Sequence, residues 1–361
     1  VKRCLKCLAA AAALAPVAGL LIAWLGIIHV GATGGHWAVT EWFLHWTMRS
    51  SVRTAALGIK KPSGFESAKH LKVTAVHFQM SCAECHGSPD RRRSPEMLAM
   101  LPPPPDLRDT VGNWKDEELF VIVRDGLRYT GMPAWPGAGR DGEVWAMVAF
   151  LKELQMMSPA RYKELSGAKD TESGDTLSGC LACHEQGIEG NDPIAPVIAG
   201  QSNAYLAEAL RAYRKGSRES GFMEVVVSRL KDADIDATAG DFARKDGLLS
   251  STPRARSGDE RTLSLVKTGD PVKKIAACQA CHDGRNPLYP LLSGQSRTFL
   301  IEQILLFKQD LRGDSPTAQL MSRAVRHLTV EDVARLADYY ASQPLARDDR
   351  INAETAPRWR F

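Results

Sequence analysis

Three times in 361 residues the chain reads CxxCH: Cys82-Ala-Glu-Cys85-His86, Cys180-Leu-Ala-Cys183-His184 and Cys278-Gln-Ala-Cys281-His282. The first cysteines stand 98 residues apart in both intervals, so the chain is an internal repeat. On one helical turn, two thiols three positions apart can form thioethers to the two vinyl groups of a haem, and the next histidine reaches its iron. A redox dithiol or half of a zinc site explains a lone CxxC, but neither requires that histidine three times. The spacing predicts three covalently bound haem c groups. Their attachment residues are Cys82 and Cys85, Cys180 and Cys183, and Cys278 and Cys281; His86, His184 and His282 meet the metal.

A second axial ligand is expected downstream in each repeat, and methionine sulfur is the usual partner of histidine. After Met157 the chain holds only Met223 and Met321, each 39 residues beyond its histidine. In the first repeat Met132 sits in Tyr129-Thr-Gly-Met-Pro-Ala-Trp135, a turn bracketed by Gly and Pro that suits a thioether aimed at a buried iron. Met97 and Met100 follow His86 too closely to wrap a macrocycle easily. Met147 belongs to an apolar helical face with Val144, Val148 and Leu151. The metal ligands expected are His86 and Met132, His184 and Met223, His282 and Met321.

Between the ligands the periodicity is helical. Helices are expected over Asp116 to Arg124, stopped at Gly126, over Gly142 to Leu154, over Asn203 to Arg214 and over Arg297 to Phe307. A last one opens at Thr329-Val-Glu-Asp332 and ends near Ser342. Segments of about 90 residues have thin cores, and a haem would complete them.

The net charge of +4 gives no case for a nucleic-acid partner. Leu8 to Val30 carries no Asp, Glu, Lys or Arg and is read as one transmembrane helix rather than a cleaved signal, although Val30-Gly31-Ala32 resembles a cleavage site. Lys2, Arg3 and Lys6 favour a cytoplasmic N-terminus, which places the remainder in the bacterial periplasm as a single-pass protein of the inner membrane. From His36 to Leu57, Trp37, Trp42, Phe43 and Trp46 among Arg49 and Arg53 read as an interfacial helix. The expected organisation is a cytoplasmic N-terminus (1–7), a transmembrane helix (8–30), a juxtamembrane segment (31–66), haem domains at 67–165, 166–243 and 262–345, a linker at 244–261 rich in Ser, Gly and Arg, and a tail at 346–361.

From about Ser67 to Gln343 these features resemble class I c-type cytochromes. Ala195-Pro-Val-Ile-Ala-Gly-Gln-Ser202 with Tyr205-Leu206, and Tyr289-Pro-Leu-Leu-Ser-Gly-Gln-Ser296 with Phe299-Leu300, are similar to the two-haem cytochromes of the c4 type. So is Leu336-Ala-Asp-Tyr-Tyr340. The first repeat resembles single-haem domains in Pro102-Pro-Pro-Pro-Asp106-Leu107 and Gly131-Met-Pro-Ala-Trp135. The resemblance implies an all-α fold of three such domains in tandem behind the N-terminal helix. It also implies that Pro196 and Pro290 offer backbone carbonyls to the second ring nitrogen of His184 and His282; no proline is assigned to His86. Glu185 and Asp283 replace the usual glycine after the second and third motifs, and Ala237-Thr-Ala-Gly240 makes the second repeat's terminal helix the weaker one.

With both axial positions filled, each iron is closed to substrate. The expectation is an electron relay without catalytic residues. Its natural partners are a periplasmic dehydrogenase subunit as donor and a terminal oxidase or soluble cytochrome as acceptor, within a multi-subunit complex. The rival is a haem peroxidase or gas-binding sensor with one open axial site, against which the methionine inventory stands. A role of His29, His36 and His45 in quinol chemistry is a third reading. Arg91, Arg92 and Arg93 either steer an acidic partner or form a solvated loop. Trp135 and Trp145 are expected against the first macrocycle, His70, His77 and His327 at the surface or at caps, and Cys4 and Cys7 as free thiols.

Overall fold

The computed structural model describes residues 2–27, 31, 34–63, 70–167, 176–184, 194–245 and 258–343. Every regular element in them is helical, and the only bridge pairings among them are Ser88 with Arg91 and Asp270 with Ile275. His29, Glu185, most of the expected linker and the tail at 346–361 lie outside the described residues.

The chain opens with α1 (Lys2–Trp24) and α2 (Ala38–Ala56). Helix α1 takes in Lys2, Arg3 and Lys6, carries Pro16 inside and stops before Gly26 at φ 67°. It is therefore shifted toward the N-terminus relative to the span expected over residues 8–30. Among the described residues, no helix is long and apolar enough to cross a membrane.

Seven helices follow: α3 (Leu71–Ser81), α4 (Ala83–His86), α5 (Pro95–Leu98), α6 (Leu107–Thr110), α7 (Asp116–Asp125), α8 (Asp141–Leu154) and α9 (Pro159–Ser166). Phe78, Phe120, Trp145, Phe150 and Tyr162 fill their common core. Helix α2 docks here as well. Val52 is buried, Arg49 lies 4.4 Å over the Trp114 ring, and Arg53 stands 3.8 Å from Glu118. The other half of α2 leaves Trp37, Trp42, Phe43 and Trp46 exposed. The segment expected to lie on a bilayer is thus half integrated into the first helical group.

The second group is α10 (Thr176–His184), α11 (Asn203–Arg214), α12 (Gly221–Val227) and α13 (Asp232–Arg244), closed around Leu206, Ile235, Ala239 and Phe242. The third is α14 (Glu260–Lys267), α15 (Arg297–Lys308), α16 (Pro316–Val325) and α17 (Val330–Ser342), closed around Leu265, Leu300, Val333, Leu336 and Tyr340. Helix starts follow the capping chemistry of the sequence. Ser202 Oγ accepts from the Tyr205 N–H at 3.1 Å, and Ser296 Oγ from the Phe299 N–H at 3.3 Å. Thr329 and Asp332 form a reciprocal capping box. Helix α13 runs through Ala237–Gly240 for 13 residues, the length of α17, with Ile235, Ala239 and Phe242 burying one face.

Candidate haem sites

One arrangement recurs at the three motifs. Nδ1 of His86 lies 2.9 Å from the carbonyl oxygen of Pro105, that of His184 2.8 Å from Pro196, and that of His282 2.8 Å from Pro290. A carbonyl only accepts, so each Nδ1 carries the proton and donates it, leaving the Nε2 lone pair for a metal. Burial pushes the pKa of all three imidazoles below the ordinary histidine value, against the opposing effect of that hydrogen bond. The neutral tautomer needed for ligation is therefore the one the fold selects. Pro196 and Pro290 stand where the resemblance placed them, and Pro105 serves His86.

The cysteines start from different local structures: Cys82 caps α4, Cys180 and Cys183 lie on α10, and Cys278 opens a 3-10 turn, Cys278–Ala280. Each is unbridged. Burial pushes the Cys82 thiol up to about 12, and the Cys183 and Cys278 thiols up to about 11. A thiol–disulfide catalyst needs the reverse, a depressed pKa.

Met132 sits in the turn expected for it. Its carbonyl accepts from the Leu127 N–H at 3.2 Å, and its N–H donates to Thr130 Oγ1 at 3.1 Å. Gly126, at φ 65°, makes the close approach possible, since a Cβ there would come within 2.6 Å of Ala134 N. The Met100 methyl reaches this turn too, packing where a side chain on Gly131 would start. Met223 and Met321 lie on helices instead, α12 and α16.

A continuous cavity of about 380 Å³ links the second and third sites, lined by Cys180, His184, Met223, Cys278, His282 and Met321 among others. Its polar wall tests whether haem fits. Arg140, Arg218 and Arg312 are all buried along it, and Nε of Arg140 and Nε of Arg218 have no hydrogen-bond partner. Burial, reinforced by neighbouring Arg218, pushes Arg312 down to about 9, so it is still a cation at neutral pH. Buried cations require anions. A haem brings two propionate carboxylates, and the residues present fit that group.

Several residues of the site escaped sequence reasoning. Gln201 and Gln295, noticed only as parts of repeated phrases, bind the backbone of the opposite helical group. His77, expected at the surface, is 7% exposed and ringed by Trp135 and Phe222. Glu143 is buried at the N-terminal end of α8. Trp145 stacks on Phe120 at 4.5 Å. Arg91 pairs with Glu84, Arg93 donates to the Pro104 carbonyl, and Asp283 is paired with Arg285, so none of these is a bare charge. His36 and His45 are exposed.

The family model described as cytochrome c oxidase, cbb3-type, subunit III matches residues 71–151. Cytochrome c-552 of Acidithiobacillus ferridurans is 30% identical over 176 residues, 46% of this chain and 74% of that protein. The thiosulfate dehydrogenase electron acceptor of Thiomonas intermedia is 30% identical over 184 residues, 49% of this chain and 84% of that protein. Cytochrome c4 of Pseudomonas aeruginosa is 26% identical over 181 residues, 46% of this chain and 88% of that protein.

Proposed function

The chain belongs to the class I c-type cytochromes, among the relatives of the diheme cytochromes c4, and on that premise we propose that it carries three haems and relays electrons between redox proteins. The observation that carries the proposal is the threefold pairing of a CxxCH histidine with a proline carbonyl, at 2.9, 2.8 and 2.8 Å. Three haem units are taken as residues 67–165, 166–243 and 262–345.

When bound, haem supplies a one-electron Fe(II)/Fe(III) couple. The chain does the rest. Cys82 and Cys85, Cys180 and Cys183, and Cys278 and Cys281 would fix each group covalently. His86, His184 and His282 present Nε2, while Pro105, Pro196 and Pro290 hold the rings in one orientation and raise their basicity. Met132, Met223 and Met321 would each supply a thioether sulfur to an iron, which would exclude substrate and water and leave electron transfer as the available chemistry. Arg218 and Arg312 would balance propionate charge in the shared cavity of the second and third units, whereas Arg140 already has the buried Glu143 carboxylate as its counter-charge.

The donor proposed is a periplasmic dehydrogenase. Because the Thiomonas relative is an electron acceptor of thiosulfate dehydrogenase by name, that enzyme is the first donor to try. A terminal oxidase or a soluble cytochrome is the proposed acceptor. The test is the intact mass of the chain expressed with a haem-attachment system, joined to its ferric spectrum. Three added haems, a methionine-to-iron charge-transfer band and no response of the reduced protein to carbon monoxide are expected. Fewer than three haems, or high-spin iron, overturns the relay.

A further inference from the structure

Between the first and second haem units the chain builds a junction with a core of its own. Val73 on α3 and Ala146 on α8 are buried against Ile194 and Ala195, and Phe222 and Cys183 pack on the same cluster. Beside it, the His77 ring lies 5.0 Å from Trp135 and 4.7 Å from Phe222, centroid to centroid, and Trp135 meets Phe222 edge-on at 5.5 Å. All three separations fall within the range of aromatic contact. Trp135 follows Met132 by three residues, and Phe222 immediately precedes Met223. The rings therefore join the two segments that present methionine.

One carboxylate holds this junction together. Glu143 Oε2 accepts from the Trp135 indole N–H at 3.0 Å and from the Gly221 N–H at 2.8 Å, and Oε1 accepts from the Ser220 hydroxyl at 2.7 Å. Ser220 Oγ in turn accepts from the Met223 N–H at 3.3 Å. Arg140 donates to the Glu219 carbonyl, and the Ala138 N–H donates to Glu219 Oε2 at 2.8 Å. Gly221 has no alternative, since a Cβ would run into the indole. A buried carboxylate is costly unless its hydrogen bonds are complete. These are, and they are all spent on aligning Trp135 with the start of α12.

The first unit also touches the third, where Gly139 faces Leu311 and Gly142 faces Glu302. Among the described residues, the ring contacts that leave the first unit run to the second.

We propose that Trp135, His77 and Phe222 form the contact through which electrons pass between the first and second haem sites, with Glu143 the residue that positions the rings. The inference rests on the three-haem reading, and it orders the relay as first, second, third. One electron leaves the ferrous iron of one site and reduces the ferric iron of the other. No bond forms or breaks, no proton moves, and the rings are neither oxidised nor reduced. Burial pushes the His77 pKa down to about 4, so at neutral pH the bridge is uncharged in both redox states of its neighbours.

The experiment uses the full haem-loaded chain, partly reduced by a radiolytic pulse, and follows internal redistribution of electrons among the haems. Phe222→Leu and His77→Leu are expected to slow the exchange between first and second sites about tenfold, by weakening the coupling across the junction. Haem content and midpoint potentials should stay put. Glu143→Leu should slow the same step and shift the Trp135 indole N–H resonance, and Trp135→Phe, which keeps a ring but loses its hydrogen bond to Glu143, should slow it by less than Trp135→Leu. Unchanged exchange in Phe222→Leu and His77→Leu overturns the bridge while the relay stands. A wild-type chain with three haems but no internal exchange overturns both. Two different ring variants guard against misfolding of either one, and the indole resonance reports the junction independently of the rate.

Discussion

Gln201 and Gln295 clamp the second and third haem units together by the same pair of hydrogen bonds run in opposite directions. Gln201 donates to the Leu291 carbonyl at 2.7 Å and accepts from the Leu291 N–H at 2.9 Å; Gln295 does both to Val197 at 2.8 Å. The two residues are equivalent in the repeat, so the contact is self-complementary, as in a two-fold dimer. Val197 follows Pro196 and Leu291 follows Pro290. Each clamp therefore grips the residue next to the carbonyl that orients the opposite unit's histidine.

Gln295→Ala removes both bonds to Val197 and a third, accepted by Gln295 Oε1 from the Ser296 N–H at 2.9 Å, a loss of about 2 kcal/mol or more. Gln201→Ala, which removes only the two bonds to Leu291, should cost less. The double variant should lose less than the sum, because both clamps act on one interface. Denaturant unfolding of the haem-loaded chain, followed through the methionine–iron band, measures all three. Wild-type midpoints in the single variants contradict the clamp.

What the sequence disclosed and what it hid divide by range. The CxxCH turns and the starts of α11, α15 and α17 depend on residues within a few positions, and capping by Ser202, Ser296 and Thr329 is local chemistry readable in one dimension. Pro196 and Pro290 were legible through a repeated phrase. Glu143 was not. On its own it is an ordinary acidic residue in the first turn of an amphipathic helix, and its partners Ser220 and Gly221 lie far along the chain. His77, Trp135 and Phe222 belong to three separate segments, and only tertiary packing makes them one cluster. The N-terminal helix misled in a different way, because an uncharged run does not say where a helix starts or that α2 will dock its second half on α7.

Met132 and Met100 compete more closely than loop length implies, since the Met100 methyl occupies the space beside Gly131. Met132→Ala is expected to open one iron in three to carbon monoxide and to remove one third of the charge-transfer band. Met100→Leu should leave the spectrum as it was. Retention of the whole band in Met132→Ala, with its loss in Met100→Leu, would transfer the ligand role to Met100.

Arg261 joins α14 to α17 and to the turn before the third motif, lying 2.6 Å from Asp270 and 3.1 Å from Asp332. Its guanidinium holds both carboxyls below the ordinary aspartate value. A depressed folded pKa means that the unfolded chain binds protons first as pH falls. The stabilisation is complete above the unfolded value of about 3.9 and disappears as pH drops through the folded one. Arg261→Met should lower stability at pH 7, by less than the loss of a wholly buried pair, because the Arg261 side chain stays 30% exposed. It should also flatten the acid limb. Thermal midpoints recorded from pH 7 to pH 3 test the sign; a variant as acid-sensitive as the parent refutes the pairing.

Arg312 is buried beside Arg218 in the cavity shared by the second and third units. A cation near a haem stabilises the ferrous form, which carries one positive charge fewer, and so raises the midpoint potential. Arg312→Gln keeps a polar side chain of similar reach and removes the charge. Thioether attachment does not depend on Arg312, so haem content should be unchanged while the potentials of the second and third haems fall by tens of millivolts, 59 mV being about a tenfold change in a one-electron equilibrium. The first haem should move less, because Arg312 belongs to the segment before α16 and lines the cavity of the other two. Redox titration with optical detection resolves this. Potentials equal to those of the parent would mean that the charge of Arg312 is balanced by something other than a propionate.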